Sequence, residues 1–154
     1  MSSAAEQLAA LGLTLPPVTA PVAAYVPAVR TGSYVYVSGQ LPVVDGKLPA
    51  TGKVGDAVSA EDAAAMARTC ALNAVAAAAE AAGGLDAIVR IVKVVGFVAS
   101  APGFNGQPQV VNGASELLIE VFGEAGRHAR SAVGVAELPL GAPVEVELIA
   151  EVRD

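Results

Sequence analysis

Cysteine, histidine and tryptophan are almost absent from this sequence. Its 154 residues include one cysteine, Cys70, one histidine, His128, and no tryptophan. A single cysteine excludes an intrachain disulfide and every metal site built from several cysteines. With one histidine, a zinc site would consist mostly of carboxylates, which is unusual for that metal. The apolar neighbours of Cys70 predict a buried, inert thiol, and we interpret His128 as a surface or helix-end residue.

Long apolar runs and an excess of basic residues are also missing. Apolar residues make up 54% of the chain and the mean hydropathy is +0.57, yet charged residues or glycines interrupt each apolar stretch. None reaches the roughly 20 residues that a membrane span needs, and the N-terminus lacks the basic segment of a signal peptide, so we expect a cytoplasmic protein. The net charge of -6 argues against nucleic acid as a partner, since binding to phosphates needs basic side chains.

Alanine and valine are abundant, in patterns typical of helices packed on a sheet. Capping residues and apolar periodicity predict helices over residues 3–11, 59–82 and 108–122. Alternation predicts an edge strand over residues 22–25, a strand over 33–38 with a hairpin around 45–46, a strand over 88–99, and a C-terminal hairpin of strands 131–136 and 144–152. We expect residues 1–20 to form an N-terminal extension with a short helix, and residues 21–154 to form one α+β domain.

The predicted sheet has more apolar surface than its helices can cover. Two main helices cover only one face, whereas residues 88–99 and 131–136 carry apolar side chains on both faces. A second copy of the chain is the simplest cover for the other face. We therefore expect a homo-oligomer with clefts at the subunit boundary.

The C-terminal segment carries the best functional clue. The predicted hairpin sets Arg130 near a strand on which Glu145, Glu147 and Glu151 point one way and the apolar residues point the other. Arginine forks onto a carboxylate through two parallel hydrogen bonds, so Arg130 suits an anchor for a small organic acid. A nearby glutamate would then handle water or a proton, and the pattern leaves open whether Glu145 or Glu147 does so.

Several short motifs together resemble one known family. They are VSGQLP at residues 37–42, TCALN at 69–73, residues 94–98, Asn112, and ARS at 129–131 followed by LP at 138–139 and VEVE at 144–147. In this combination the chain resembles the RidA-like family of reactive-intermediate deaminases, also called YjgF or endoribonuclease L-PSP, and specifically a longer branch of it. The resemblance implies a chorismate-mutase-like α+β fold, a mixed sheet with two main helices packed on one face, and a homotrimer.

The resemblance also implies an activity and its residues. RidA-like proteins hydrolyse 2-imino acids and their enamine forms to 2-keto acids and ammonia in clefts between subunits, without a cofactor or a metal. By motif, Arg130 would hold the substrate carboxylate and Glu145 would position or activate water. The residues implied to line the pocket are Tyr25, Ser38, Gly39 and Asn112.

Two other functions stay open at this point. One is an endoribonuclease acting on single-stranded RNA, as the family label suggests, although the acidic composition and few aromatic residues argue against an RNA groove. The other is a non-catalytic trimer that binds a small carboxylate. A serine hydrolase is excluded because Ser38 has no plausible histidine and aspartate partners.

Overall fold

A computed structural model describes residues 2–18, 20–21 and 23–154 of the chain. Short 3₁₀ turns at Leu85–Ala87, Gly123–Gly126 and Pro139–Gly141 connect its main elements. These elements are, in order, α1 (Ala4–Ala10), β1 (Ala28–Thr31), β2 (Tyr34–Gln40), α2 (Ala60–Ala82), β3 (Ile88–Ala99), α3 (Gln107–Phe122), β4 (Ala129–Val135) and β5 (Val144–Val152).

The helices α1 and α2 begin and end where their capping residues predict. Ser3 and Glu6 form a reciprocal capping box at the start of α1, and the Ser59 hydroxyl accepts a 3.1 Å hydrogen bond from the Asp62 backbone N–H at the start of α2. Gly83 ends α2 in the left-handed conformation, with φ of 91°, which glycine adopts without steric cost. The three predicted helices are confirmed.

The strands form one mixed sheet in the order β1-β2-β5-β3-β4. β4 runs parallel to β3, and every other neighbouring pair is antiparallel. The predicted C-terminal hairpin is therefore wrong, because β3 lies between β4 and β5. The connection between these two strands passes through the Pro139–Gly141 turn instead of closing a ladder, and α3, which links β3 to β4, is the crossover that a parallel pair requires.

The first strand pair also differs from the prediction. β2 pairs with β1, a strand that the sequence analysis missed, and the turn at Asp45 and Gly46 supports only one isolated bridge between Val44 and Lys47. Of the predicted edge strand over residues 22–25, Val22 lies outside the described residues and residues 23–25 form a bend. Proline at positions 21 and 27 brackets this segment, and proline cannot donate to a ladder.

Both main helices pack on one face of the sheet, as predicted. α2 lies over β2 and β5, and α3 lies over β3 and β4. The two helices approach closely at Gly113, where a Cβ atom would overlap the Ala64 carbonyl oxygen of α2. Small side chains permit this approach, since twelve residues of α2 are buried and nine of them are alanine. No described helix combines the length and the hydropathy that a membrane crossing requires.

No helix of the described residues lies over the opposite face of the sheet. Tyr34 and Tyr36 of β2 are 43% and 47% exposed there, and Val133 of β4 is 43% exposed. A groove of about 440 Å³ on this face is lined by Tyr36, Ser38, Lys93, Val95, Glu147 and Ile149, among others. Apolar and charged side chains are mixed in it, so the face is only partly hydrophobic.

Candidate functional site

Arg130 lies on edge strand β4, on the face that the helices cover. Its partner in the parallel ladder is the fully buried Val94 of β3. The guanidinium reaches α3, where Nη1 donates to Asn112 Oδ1 at 2.7 Å and to Ser115 Oγ at 3.2 Å, and Nη2 donates to the Pro108 carbonyl oxygen at 3.4 Å. One turn of α3 thus supplies both side-chain acceptors, because positions three residues apart share a helix face.

These bonds leave part of the guanidinium available. Arginine has five N–H groups, of which Nη1 uses two and Nη2 one. Within the described chain, no hydrogen bond involves Nε of Arg130, and one N–H of Nη2 also has no acceptor there. Two donors on a planar guanidinium match the two oxygens of a carboxylate. A ligand carboxylate is thus a chemically suitable partner for this arginine.

A histidine contacts the same serine hydroxyl as this arginine. The His128 ring is half-buried, with Nε2 at 2.9 Å from Ser115 Oγ and Nδ1 at 2.6 Å from the Gly126 carbonyl oxygen. Burial lowers the pKa of His128 and the charge of Arg130 lowers it further, while the Gly126 carbonyl acts in the opposite direction. His128 does follow a short helix, as predicted, but it is not a free surface side chain.

Glu145 lies on the other face of the sheet. Its ladder partner on β3 is Phe97, three residues beyond Val94, and an odd separation along a strand reverses the face. Burial raises the pKa of the Glu145 carboxyl, and the negative charge of Glu147, two residues along the same strand, raises it further. A carboxylate with a raised pKa accepts protons more readily than an ordinary glutamate.

Gly39 makes room for the Glu145 carboxylate. A Cβ atom at position 39 would overlap Glu145 Oε1 and would lie 2.8 Å from its Cδ. Next to it, Ser38 is held in place by two bonds, since its hydroxyl donates to the Val26 carbonyl oxygen at 2.7 Å and its backbone N–H to the Pro27 carbonyl oxygen at 2.8 Å. The same bonds tie the segment that carries Tyr25 to the end of β2.

The six predicted site residues therefore fall into two groups. Arg130 and Asn112 are hydrogen-bonded to each other on the helix-covered face. On the opposite face, Gly39 contacts Glu145, and Ser38 is its chain neighbour, with Tyr25 tethered nearby and 56% exposed. Arg130 and Glu145 are not brought together within one chain, because β3 separates β4 from β5 and the two side chains point to opposite faces.

Sequence reasoning missed two residues of the Arg130 group. Ser115 was not considered, and His128 was interpreted as a surface or helix-end residue. The three-residue spacing from Asn112 to Ser115 on a predicted helix was the available signal, but the alignment of that helix with β4 was not visible in the sequence. As predicted, Cys70 is buried, and burial raises the pKa of its thiol well above the ordinary value.

The described residues contain no cluster of three or more histidine, cysteine, aspartate or glutamate side chains arranged to hold a metal ion. Ser38 also has no histidine or carboxylate among its hydrogen-bond partners there, and its hydroxyl donates to a backbone carbonyl. One chain thus offers two separate groups of candidate residues, one around an arginine held by α3 and the other around Glu145.

Comparison with known proteins gives one consistent answer. The profile of the family described as "YjgF/chorismate mutase-like, putative endoribonuclease" matches residues 5–152. Protein TCP17 of Trypanosoma cruzi is 46% identical over 151 residues, which is 97% of this chain and 94% of that protein. The crystal structure of Atu1372 from Agrobacterium tumefaciens is 46% identical, with a TM-score of 0.91 over 97% of this chain and 92% of that one. Escherichia coli TdcF, solved with bound serine, is 29% identical, with a TM-score of 0.65 over 89% and 94% of the two chains.

Proposed function

The chain belongs to the YjgF/chorismate mutase-like family, and from that premise we propose that it hydrolyses 2-imino acids and their enamine forms to 2-keto acids and ammonia. The observation that carries the proposal is the Arg130 guanidinium, which Asn112 and Ser115 hold through Nη1 while Nε and part of Nη2 stay available for a carboxylate. The serine bound to TdcF, itself a small molecule with a carboxylate, supports a ligand of this class.

The proposed reaction needs little from the protein beyond placement. The carboxylate of the imino acid binds Arg130, and this fixes the position of the electrophilic imine carbon. Glu145 takes a proton from a water molecule while the water oxygen bonds to that carbon and the C=N electron pair moves to nitrogen. Glu145 then returns this proton to the nitrogen, which gives a tetrahedral carbinolamine. The carbinolamine hydroxyl passes its proton to the amino nitrogen through Glu145, the C–N bond breaks, and ammonia leaves as the C=O bond forms. Orientation supplies a large share of the barrier reduction and proton transfer roughly 10²–10⁴-fold more.

A homotrimer with clefts between its subunits is the second part of the proposal. Arg130 and Glu145 lie on opposite faces of one sheet, so a single chain does not present both to one substrate. A ring in which the uncovered face of each copy packs against the β4 edge of the next joins the Glu145 group of one copy to the Arg130 group of its neighbour. The exposed Tyr34, Tyr36 and Val133 support burial of the uncovered face in such a ring.

The experiment is the decay of 2-iminopropanoate and 2-iminobutanoate, generated in place by an amino-acid oxidase. We expect the wild type to accelerate decay, and Arg130→Ala and Glu145→Gln each to lose at least about 100-fold in kcat/KM. Arg127→Ala is the matched control for the first variant, because Arg127 is exposed and pairs with Glu124. Glu151→Gln is the control for the second, since Glu151 lies on the same face of β5.

Each outcome has a clear meaning. No acceleration by the wild type overturns the deaminase proposal, and RNA cleavage, which the family description names, is then tested with a single-stranded substrate. Retained binding of a 2-keto acid without hydrolysis would identify a carboxylate-binding protein instead. Light scattering tests the assembly: a mass about three times 15.2 kDa supports the trimer, and a monomer contradicts it.

A further inference from the structure

A chain of hydrogen bonds runs from the turn before β4 to the arginine of the candidate site. It starts at the Gly126 carbonyl oxygen, passes through both nitrogens of the His128 ring and the Ser115 hydroxyl, and ends at Nη1 of Arg130. The three contacts measure 2.6, 2.9 and 3.2 Å. This series of hydrogen bonds joins α3 to β4 through Nη1 of Arg130, on the side of the guanidinium away from the available N–H groups of Nε and Nη2.

The contacts of the His128 ring fix the tautomer of its neutral form. The Gly126 carbonyl oxygen can only accept, so Nδ1 carries a proton and donates it to that oxygen. In the neutral ring Nε2 is then unprotonated and accepts from the Ser115 hydroxyl, whose oxygen accepts from Arg130. Burial and the charge of Arg130, which lower the pKa of His128, favour this neutral ring over the imidazolium.

We propose that Ser115 and His128 are positioning residues, which lock the Arg130 guanidinium in the plane that presents its Nε and Nη2 donors to a substrate carboxylate. An arginine side chain loses rotamer entropy when it is immobilised, and a side chain that is already held loses less of it on binding. Asn112 fixes one Nη1 hydrogen and Ser115 the other, so rotation of the guanidinium breaks both bonds. The identity of the ligand as a small carboxylate rests on the proposed function.

The surrounding charges do not compete with this role. Arg127 and Glu124, the last two charged residues before His128 in the chain, pair with each other at 3.2 Å. Arg90 of β3 donates to the Arg127 carbonyl oxygen at 3.0 Å. Arg130 is the charged side chain that acts on His128, and the serine hydroxyl is interposed between the two.

The test measures binding of 2-oxobutanoate, a stable 2-keto acid, to the full chain by calorimetry, so it does not depend on catalysis. We expect Ser115→Ala and His128→Ala each to weaken binding roughly tenfold, the effect of about one net hydrogen bond. We expect His128→Gln to stay within about twofold of the wild type, because the glutamine oxygen can accept from Ser115. Glu116→Ala, at the exposed next position of α3, is the control that should leave binding unchanged.

A second measurement separates positioning from a general structural effect. In kcat/KM for imine hydrolysis, Ser115→Ala should cost about tenfold in the wild type and almost nothing in the Arg130→Ala background, because its effect passes through the arginine. Equal costs in both backgrounds would overturn the inference. If His128→Ala does not fold, Ser115→Ala and His128→Gln still decide it.

The two proposals fail in different ways. If Arg130→Ala abolishes keto-acid binding and Ser115→Ala does not weaken it, the positioning role is wrong while the anchor stands. If binding shows the expected pattern but no imine is hydrolysed, the positioning role stands and the deaminase proposal is wrong. If Arg130→Ala binds as the wild type does, or the wild type does not bind, the positioning role is overturned together with the anchor.

Discussion

Replacement of Gly39 by alanine is expected to damage the reaction and to spare the fold. The new Cβ would lie 2.8 Å from Cδ and 3.1 Å from Cγ of Glu145, and closer still to Oε1. The backbone of Gly39 does not have the positive φ that would make alanine strained. The atoms in the way belong to the end of a flexible side chain, so we expect the Glu145 carboxylate to move and the strands to stay where they are.

The size of the effect follows from the geometry. Cδ of Glu145 must retreat by about 0.6 Å or more to reach ordinary contact with the new methyl group, and Oε1 must retreat further. A displacement near 1 Å at a reacting group can cost about 100-fold in rate, so we expect kcat/KM to fall by roughly that factor. Stability should change by less than about 1 kcal/mol, because alanine in a strand offsets part of the steric cost by lowering the entropy of the unfolded chain.

The assay combines imine decay with unfolding in urea. Gly39→Ala is compared with the wild type, with Glu145→Gln and with the double variant. Because the methyl group acts through Glu145, the double variant should be no slower than Glu145→Gln alone. A folded Gly39→Ala protein with kcat/KM within about threefold of the wild type would refute the reasoning. So would a loss of stability above about 2 kcal/mol, which would mean that the backbone and not the carboxylate had moved.

Three further predictions concern pH and packing. Burial is the largest cause of the raised pKa of Glu145, and the negative charge of Glu147 is the second. Glu147→Gln removes that charge, so the acid limb of the kcat/KM profile should move to lower pH. An acid limb that does not move would contradict the role of Glu145 as the base. The pKa of His128 is lower in the folded chain than the unfolded value near 6.5, so wild-type stability should fall as pH drops through about 6.5. The free energy of unfolding, measured in urea at a pH above and a pH below 6.5, should therefore decrease less in His128→Gln than in the wild type. An equal decrease in the two proteins would contradict the prediction. Gly113→Ala places a Cβ atom against the backbone of α2. Alanine gains about 1 kcal/mol in helix propensity, but the overlap costs more, so we expect a net loss of about 2 kcal/mol in the free energy of unfolding, or about 4–8 °C in Tm. A stabilised variant would show that the two helices move apart easily.

Features that neighbouring residues determine could be predicted from the sequence. The ends of α2 follow from Ser59 and Gly83, and both capping interactions are present. The division of β5 into an apolar face and a glutamate face follows from alternation alone, and the burial pattern confirms it. These predictions succeed because each depends on contacts within a few residues of chain.

Features that depend on distant pairing could not be predicted. The C-terminal hairpin was inferred from closeness in sequence, but β5 pairs with β2 and β3, which come about 110 and 55 residues earlier in the chain. That error also placed Arg130 beside the glutamates, whereas the true register sets it on the other face with α3. The role of His128 was missed for the same reason, since its partner Ser115 lies on a helix whose position over β4 is decided by packing.

The placement of Arg130 and Glu145 on opposite faces has a consequence for inheritance and for mixtures of chains. In the proposed ring every subunit serves two clefts, giving its arginine to one and its glutamate to the other. Two inactive chains, one with Arg130→Ala and one with Glu145→Gln, would then restore a working cleft when they assemble together, since one interface unites the two intact halves. Conversely, one chain that lacks both groups would disable two clefts of the three, so a defective copy of the gene would reduce activity by more than its share of the protein.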